Sequence, residues 1–234
     1  MCNQPFPLMI FAAGFGKRMG QLTATRPKPL VQVAGKPLID HALDLAKDAG
    51  NRVTVVNVHY LAGQLIDHLK DCAVAISHER GQILETGGGL RAALPLLGPG
   101  PVMALNSDAV WTGPNPLRQL ANAWDGSRMD ALLLLLPTGR ATGHGTTADF
   151  LLSDDGRIMR GTGREDHVFV GASMINPECL AEIPDQVFSL NRPWDRIIAC
   201  GRAFGVVHQG GWCDVGTAEG IELAEALLQG RAHG

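Results

Sequence analysis

Apolar residues in this chain gather into short, nearly uninterrupted runs that alternate with segments in which they recur every three or four positions. The run over 8–13 is apolar throughout and is ended by a glycine, as expected for a parallel strand that is covered on both faces. The segment 37–49 has the spacing of a helix instead, and Gly50 follows it as a C-cap. The same two patterns predict strands over 53–58, 73–77, 102–105 and 131–136, and helices over 61–69, 90–97 and 117–124. This alternation predicts a mostly parallel α/β sheet with helices on both faces.

The pattern changes after Pro137. Short strands joined by turns are predicted over 150–152, 158–160 and 168–175, and a last helix is predicted over 218–228. These short strands indicate mixed or antiparallel pairing and a smaller, lid-like region above the strand ends. We therefore expect one domain, 1–234, whose first half is 1–136 and whose second half is 137–234.

The composition narrows the class of the protein and its surroundings. Hydrophobic residues make up 45% and charged residues 18% of the chain, which indicates a folded protein with a sizeable core. The net charge of -3 argues against nucleic acid as a partner, and no apolar run approaches the ~20 residues that span a bilayer. Five cysteines without a C-x-x-C pair, and an N-terminus without a basic leader, predict a cytoplasmic protein with free thiols.

A glycine-rich segment, GFGKRMG over 14–20, follows the first predicted strand directly. Backbone N–H groups of a loop at the carboxyl end of a strand are suited to binding phosphate. The segment is not a P-loop, because Arg18 stands where a serine or threonine must follow Lys17. It is not a Rossmann dinucleotide fingerprint either, because Gly20 comes one residue late and His59, rather than an acidic residue, ends the second strand.

A second cationic segment, RPKPL over 26–30, comes shortly after the loop. Its two prolines restrict the backbone on both sides of Lys28 and make that side chain a rigidly mounted cation. Any one of the four cations in these two segments is explained by an ordinary surface charge beside a turn. Four of them around glycines at a strand end favour phosphate binding.

Taken together, AAGFGKRM over 12–19 and PKPL over 27–30 resemble the signature A-A-G-x-G-x-R-[LM]…P-K-P-L of sugar-1-phosphate nucleotidyltransferases. The resemblance implies a Rossmann-like, GT-A-like mixed sheet and an enzyme that joins a nucleoside triphosphate to a sugar 1-phosphate and releases pyrophosphate. It also implies catalytic roles for Arg18, which contacts the departing pyrophosphate, and for Lys28, which contacts the reacting phosphates. The triphosphate is expected to lie against Ala12, Ala13, Gly14, Gly16 and Lys17. Where family loops continue x-P-L-T, this chain has GQLT over 20–23, so the shape of the loop is expected to differ.

Two aspartates are candidate metal ligands. Asp108 closes the segment Asn106-Ser107-Asp108 after a predicted strand, and Asp214 lies just before the last helix. Each alone is typical of a helix cap or a turn residue, but transfer between two polyanionic substrates requires a hard cation. Asp108 and Asp214 match the N-x-D and W-x-D-[VIT]-G-T segments of the family, and the resemblance therefore implies that they bind Mg²⁺. Asn106 is placed with the nucleotide.

A second glycine-rich segment, ETGGG over 85–89, precedes the helix that contains 90–97. Three successive glycines weaken a helix, and close approach of the backbone to a flat ligand explains them better than a loose helix start. The resemblance implies that Glu85, Gly87 and Gly88 hold the nucleobase and ribose. The stretch over 84–97 resembles the N-acetylmuramate-1-phosphate uridylyltransferase branch of the family, which serves peptidoglycan recycling. This resemblance implies that the substrates are UTP and N-acetylmuramate 1-phosphate. Heptose, glucose or mannose 1-phosphate with another triphosphate is the alternative.

The sugar-phosphate side is less clearly marked in the sequence. Asp149, Gly171 and Asn191 occupy places where relatives line the sugar pocket. His144, in a loop of glycines and threonines, could contact the sugar or be a mobile surface residue, and we expect the surface role. We expect structural roles for the remaining histidines and tryptophans considered, His59, His78, His208, Trp111, Trp124 and Trp194.

Two other classes of protein fit parts of these patterns. A nucleotide-sugar glycosyltransferase also uses an α/β sheet and an aspartate-bound metal, but it has no use for the Arg18 and Lys28 pair. A non-catalytic nucleotide-sugar sensor on the same scaffold has no reason to keep both cations and both aspartates. We therefore expect an enzyme, either a monomer or a homodimer, whose partners are a nucleoside triphosphate and a sugar 1-phosphate, with neither nucleic acid nor membrane.

Overall fold

The protein is an α/β structure with fourteen strands and six α-helices in the part of the chain that the computed structural model describes, residues 6–145, 147–161 and 166–230. The strands are β1 (Leu8–Phe11), β2 (Gln32–Val33), β3 (Lys36–Pro37), β4 (Thr54–Val58), β5 (Ala75–His78), β6 (Val102–Asn106), β7 (Ala109–Trp111), β8 (Ala131–Pro137), β9 (Ala141–Thr142), β10 (Phe150–Leu152), β11 (Ile158–Arg160), β12 (His167–Ile175), β13 (Ala203–Val207) and β14 (Trp212–Asp214). The helices are α1 (Leu38–Ala49), α2 (Ala62–Leu69), α3 (Glu85–Leu97), α4 (Pro116–Ala123), α5 (Asn191–Ala199) and α6 (Ala218–Leu228).

Nine strands form one mixed sheet in the order β11-β10-β12-β6-β1-β4-β5, with β8 beside β12 and β13 beside β8. Strands β6, β1, β4 and β5 pair in parallel, whereas β12 runs antiparallel to both β6 and β8. Two smaller sheets, β7-β14-β9 and β2-β3, lie outside it. The parallel strands bring the residues that follow β1, β4 and β6 to one edge of the sheet.

Both faces of the sheet are covered by helices. One apolar cluster joins alternate residues of the central strands, such as Ile10 and Val56, to Ile39 of α1, Leu65 of α2 and Leu117 of α4. The other cluster joins the intervening strand residues to α3 and α5, through Leu90, Ala93, Leu97, Trp194 and Ile197. The predicted fold class is therefore confirmed, because each strand face is buried against a different set of helices.

The sequence pattern missed several elements of the second half. Helix α5 has only a narrow apolar face, which buries Pro193, Trp194 and Ile197 in nine residues. Strand β13 is interrupted by Gly205, where a Cβ atom would lie 2.5 Å from Leu135 Cδ1. These segments are fixed by what they pack against, so their own sequences carry a weak signal.

Helix α3 begins at Glu85, so the glycine-rich segment lies inside its first turn and is not a separate loop. Among the described residues no helix is both long and apolar enough to cross a membrane. The division of the domain at residue 136 stays a prediction, although strands from both halves share the central sheet.

Candidate active site

A cleft opens where β1, β4 and β6 end, and we name it the first cleft. Its wall includes Ala12, Ala13 and Gly14 from the glycine-rich loop, with Lys28 and Asp108 at one side. The remaining lining residues are Phe11, Pro29, Asn57, Glu79, Ile83, Glu85, Thr86, Asn106 and Ser107. The carboxyl ends of parallel strands are the usual binding edge of an open α/β sheet, and the predicted loop lies there.

The floor of the first cleft is a buried chain of hydrogen bonds. Ala12 donates its N–H to Asn57 Oδ1 at 2.7 Å, and Asn57 Nδ2 donates to Glu79 Oε1 at 2.7 Å. The second carboxylate oxygen, Glu79 Oε2, accepts from the N–H of Leu84 at 2.7 Å. This network ties the ends of β1, β4 and β5 to the start of α3. Neither Asn57 nor Glu79 was predicted, although a lone amide inside the apolar strand β4 is a signal for such a role.

The glycine-rich loop is shaped to hold Lys28. Gly16 has φ +64°, and a Cβ atom there would lie 2.9 Å from Lys28 Cβ, so only glycine fits both the backbone and the contact. Thr23 donates its hydroxyl to the Gly16 carbonyl at 3.0 Å, and Tyr60 donates its own to the Thr23 carbonyl at 3.0 Å. Lys17 lies to the side, with Nζ 5.3 Å from the centre of the Phe15 ring, and it is not among the residues lining the first cleft.

Lys28 forms an ion pair with Asp108. The Nζ to Oδ2 distance is 2.7 Å, and the lysine side chain is only 10% exposed. The short 3-10 turn Lys28–Leu30 starts after Pro27, whose backbone is extended, so the cation is fixed as the two prolines predicted. The ion pair orients the Lys28 Nζ, which can therefore serve as a fixed donor to phosphate oxygens.

Asp108 and Asp214 both line a recess that we name the acidic corner, which is also lined by Arg18, His144 and Trp212. Pairing of β14 with β7, and the bond from the Val215 N–H to the Asp108 carbonyl at 2.9 Å, hold the two segments together. Burial raises the pKa of the Asp214 carboxyl, and nearby Asp108 raises it further. Two carboxylates in one recess are what a divalent cation stabilises.

Arg18 reaches the same corner from the glycine-rich loop. Its Nη2 lies 3.8 Å from Asp214 Oδ2, and the rest of the side chain is exposed. A Cβ atom on Gly216 would lie 2.9 Å from Arg18 Cζ, so the glycine of the W-x-D-V-G-T segment makes room for the guanidinium. Arg18 and Lys28 thus come together with Asp108 and Asp214 as expected, although both cations are far from either aspartate in the sequence.

A second cleft lies between β10, β12 and the start of α5. It contains the three predicted sugar-side residues, Asp149, Gly171 and Asn191. The other residues lining it are Phe11, Thr86, Ala104, Asn106, Phe150, Arg160, Phe169, Ser173, Ser189, Leu190 and Trp194. Asp149 Oδ2 accepts from the N–H of Phe169 at 2.8 Å, which fixes the carboxylate against β12. Asn106 lines both clefts and the acidic corner, so all three spaces meet at the end of β6.

Comparison with known proteins agrees with this geometry. Residues 8–178 match the family described as the MobA-like NTP transferase domain. The chain belongs to this family. It is 44% identical to the N-acetylmuramate alpha-1-phosphate uridylyltransferase of Caulobacter vibrioides, over 97% of this chain and 99% of the relative. It is 35% identical to the enzyme of the same name from Neisseria meningitidis serogroup B, over 94% of this chain and 96% of the relative. The resemblance to sugar-1-phosphate nucleotidyltransferases is therefore confirmed.

Solved structures of low sequence identity share the fold. HddC from Yersinia pseudotuberculosis, in complex with GMP-PN, superimposes with a TM-score of 0.76 at 19% identity, over 94% of this chain and 98% of the other. A putative glucose-1-phosphate thymidylyltransferase from Bacillus anthracis gives a TM-score of 0.78 at 16% identity, over 97% and 96%. These similarities confirm the nucleotidyltransferase type of α/β fold.

The structure gives the glycines after Glu85 a packing role that the sequence did not indicate, and their assignment to the nucleobase and ribose stays a prediction. Gly87 and Gly88 are buried inside α3, and both donate their N–H groups to the Phe188 carbonyl, at 2.8 and 3.0 Å. A Cβ atom on Gly87 would lie 2.4 Å from the Phe188 ring, and one on Gly88 would lie 2.3 Å from the Gln186 carbonyl. The close approach is made by the protein's own chain. Of the predicted base-binding residues in this segment that the structure describes, only Glu85 lines the first cleft.

The prediction that His144 is only a surface residue is corrected. Its ring lies 5.9 Å from that of Trp212, and it lines the acidic corner with both aspartates. His208, by contrast, is buried with one ring nitrogen 2.9 Å from Gln119 Nε2 and the other 3.2 Å from the Thr112 carbonyl, which confirms a structural role. Trp194 packs edge-on against Phe169, as expected, and also borders the second cleft.

Proposed function

We propose that the protein transfers UMP from UTP to N-acetylmuramate α-1-phosphate and releases pyrophosphate, with Mg²⁺ as its cofactor. The relatives from Caulobacter vibrioides and Neisseria meningitidis carry this activity in their names. The observation that carries the proposal is the meeting of the two clefts at Asn106, beside the Lys28 and Asp108 pair. Two substrates bound in these clefts would place their phosphates at one point. Bringing two anions together in line is the main task of such an enzyme.

In this proposal the nucleotide occupies the first cleft. Ala12, Ala13 and Gly14 line the cleft as the phosphate-binding loop, and Glu85 borders the nucleoside end. Uracil specificity rests on the named relatives, since Gly87 and Gly88 are not among the residues that line the first cleft. The sugar occupies the second cleft, against Asp149 and Asn191.

Lys28 and Arg18 have different roles toward the phosphates in this proposal. The sugar phosphate is already ionised at neutral pH, so its oxygen attacks the α-phosphorus without a general base. Lys28 neutralises charge on the two reacting phosphates, and its burial keeps it in place during the step. Arg18, exposed at the acidic corner, offers a planar pair of donors to the leaving pyrophosphate.

The residues present fit a magnesium ion that is held partly by protein carboxylates and partly by substrate phosphates. Within the described ranges no group of three or more His, Cys, Asp or Glu side chains is arranged to hold a metal by itself. Mg²⁺ is commonly bound by one or two carboxylates together with substrate phosphates, and Asp108 and Asp214 supply such a pair. The raised pKa of Asp214 agrees with a site that becomes favourable only when a cation is added. When bound, the ion would neutralise charge on the triphosphate.

The setting that follows from this activity is peptidoglycan recycling in the cytoplasm, with the enzyme as a monomer or homodimer. The rival interpretation as a silent sensor is disfavoured by the assembled set of Arg18, Lys28, Asp108 and Asp214. A second substrate class, mannose 1-phosphate with GTP, is suggested by guanylyltransferases that are 27% identical. The 44% relative, which matches over nearly the full length of both chains, favours the uridylyltransferase.

The experiment is a substrate matrix. Pyrophosphate release is measured for UTP, GTP, ATP and dTTP against the 1-phosphates of N-acetylmuramate, N-acetylglucosamine, glucose and mannose, with Mg²⁺ or with a chelator. We expect the highest kcat/KM for UTP with N-acetylmuramate 1-phosphate and no turnover with the chelator. A higher kcat/KM for GTP with mannose 1-phosphate contradicts the proposal. Full activity without divalent metal contradicts the cofactor assignment.

A further inference from the structure

Arg160 is the one cation among the described residues that line the second cleft. It is the last residue of β11, the edge strand of the central sheet, and it played no part in the prediction of the site. Asp149 is the other charged residue of this cleft, and one of its oxygens already accepts a backbone N–H. Arg160 already pairs with Asp195 of α5 on one side, at 2.7 Å, so an anionic group on the sugar would meet the other side of its guanidinium.

The guanidinium of Arg160 is held in a defined orientation. Its Nε donates to Asp195 Oδ1 at 2.7 Å, its Nη2 donates to Asn191 Oδ1 at 3.0 Å, and its Cζ lies 4.7 Å from the centre of the Phe150 ring. Both hydrogen-bond acceptors belong to α5, so the side chain is tied across the mouth of the cleft. Its Nη1 makes no hydrogen bond to any residue that the structure describes. A guanidinium that is already held in one orientation loses little entropy when it binds an anion.

In the proposed function, other cations lie nearer to the reacting phosphates. Lys28 and Arg18 provide for the phosphates at the first cleft and the acidic corner, and Arg160 lines neither of these spaces. N-acetylmuramate differs from N-acetylglucosamine by a lactyl ether on O3, which ends in a carboxylate. We infer that Arg160 binds this carboxylate through Nη1 and is the residue by which the enzyme selects N-acetylmuramate 1-phosphate. This inference rests on the proposed function and assigns its sugar specificity to one side chain.

The test uses two sugars that differ only at that group, N-acetylmuramate 1-phosphate and its lactyl carboxamide, each with UTP. Wild-type protein is expected to prefer the acid over the amide by about 10- to 100-fold in kcat/KM, as for a hydrogen bond to a charged partner. Arg160→Met keeps an apolar stem over Phe150 and removes the charge, and it should lower this ratio to about one. Arg160→Lys should give an intermediate ratio, because the charge remains while the planar fork is lost.

Arg192→Ala is the matched control. Arg192 lies on α5 and pairs with Asp185 at 2.6 Å, with exposure similar to that of Arg160, yet it does not line the cleft. Its removal should leave the wild-type ratio. Calorimetric binding of UTP reports whether each variant keeps an intact nucleotide site.

The outcomes separate the inference from the proposed function. Equal losses on acid and amide in Arg160→Met, with the wild-type ratio kept, would show a structural role and overturn the inference. An acid-to-amide ratio near one in the wild-type protein would also overturn the inference. The proposed function would stand in that case, because the acid is still turned over. Failure of the wild-type protein to turn over either sugar with UTP overturns the proposed function, and the inference with it.

Discussion

The two clefts are built in different ways. The first is formed by main chain at the ends of parallel strands, and its polar side chains Asn57 and Glu79 are 3% and 5% exposed. The second is formed by side chains from a hairpin, from an irregular stretch of β12 and from α5, and Arg160 and Asn191 remain open to solvent. The triphosphate is common to every enzyme of this class, whereas the sugar varies. In the function proposed above, rigid core structure binds the common reagent and replaceable surface residues bind the variable one.

This contrast predicts that changes at the phosphate end abolish the reaction, that changes in the buried frame affect stability, and that changes in the second cleft alter selectivity. The largest effect is expected at the acidic corner. Asp108→Asn and Asp214→Asn should each lower kcat by about 10²–10³, the loss typical of one charge-stabilising group. Steady-state kinetics over a range of Mg²⁺ concentrations measures it. Circular dichroism checks that each variant is folded, and wild-type kcat in either would remove that aspartate from the site.

The next largest effects should distinguish the two cations. Lys28→Ala removes a buried charge held 2.7 Å from Asp108, so it should slow the chemical step about 100-fold and weaken binding of the sugar phosphate. Arg18→Lys keeps the charge but loses the bidentate fork, and it should cost about 10-fold in rate with sugar-phosphate binding unchanged.

Single-turnover kinetics and calorimetry of each substrate separate the two cases. Arg192→Ala serves as the control for loss of an exposed arginine that does not line the acidic corner. Wild-type single-turnover rates in Arg18→Lys would mean that the loop attracts anions only diffusely.

The residues of this site that are neighbours in the chain could be predicted from the sequence. Those that are brought together only by packing of distant elements could not. Lys28 between two prolines and the glycines before it are adjacent in the chain, so their conformation and their chemistry can be inferred together. Arg160 becomes a cleft residue only because β10, β11 and α5 meet, and a short edge strand gives no sign of that. Glu79 was missed for a related reason: its partners come from β4 and from the start of α3.

The glycines of α3 show how one signal can have two physical causes. Three glycines in a row indicate close approach of something to the backbone, and that much was predicted. The approaching group is Phe188, a residue of the same chain about a hundred positions away. Sequence spacing alone does not distinguish a ligand from a distant segment of the protein.

A stability measurement tests whether packing of Phe188 is what requires glycine at position 87. Gly87→Ala forces a Cβ atom to within 2.4 Å of the Phe188 ring and 2.9 Å of its carbonyl, so we expect a loss of about 1–3 kcal/mol in the free energy of unfolding. Gly63→Ala is the matched control. Gly63 is exposed in α2 with no atom within 4 Å of its added Cβ, and the substitution should be stabilising by about 0.5–1 kcal/mol. Urea unfolding measures both. If Gly87→Ala were as stable as Gly63→Ala, the packing explanation would be wrong.

The smallest expected effect is on thermal stability. It should distinguish Asp108 from Asp214, for which we predict the same loss of kcat. The folded-state pKa of Asp214 is raised, chiefly by burial and then by Asp108, so its stabilising contribution is present below the unfolded pKa and is lost as pH rises through the folded pKa. In protein stripped of divalent metal, Asp214→Asn should therefore raise Tm at neutral pH by a few degrees and reduce the gain that wild type shows on mild acidification.

Asp108→Asn should do the opposite. It leaves the buried Lys28 without a carboxylate at 2.7 Å, which costs about 1 kcal/mol and lowers Tm by about 2–4 °C for a chain of this length. Calorimetric scans at pH 5 and pH 7.5 with a chelator give the direction of the Tm change in each variant. Equal shifts in the two variants would mean that Asp108 and Asp214 share one environment. Opposite shifts would mean that one carboxylate is held in place by its lysine and the other is kept, against its own desolvation, for the cation it binds.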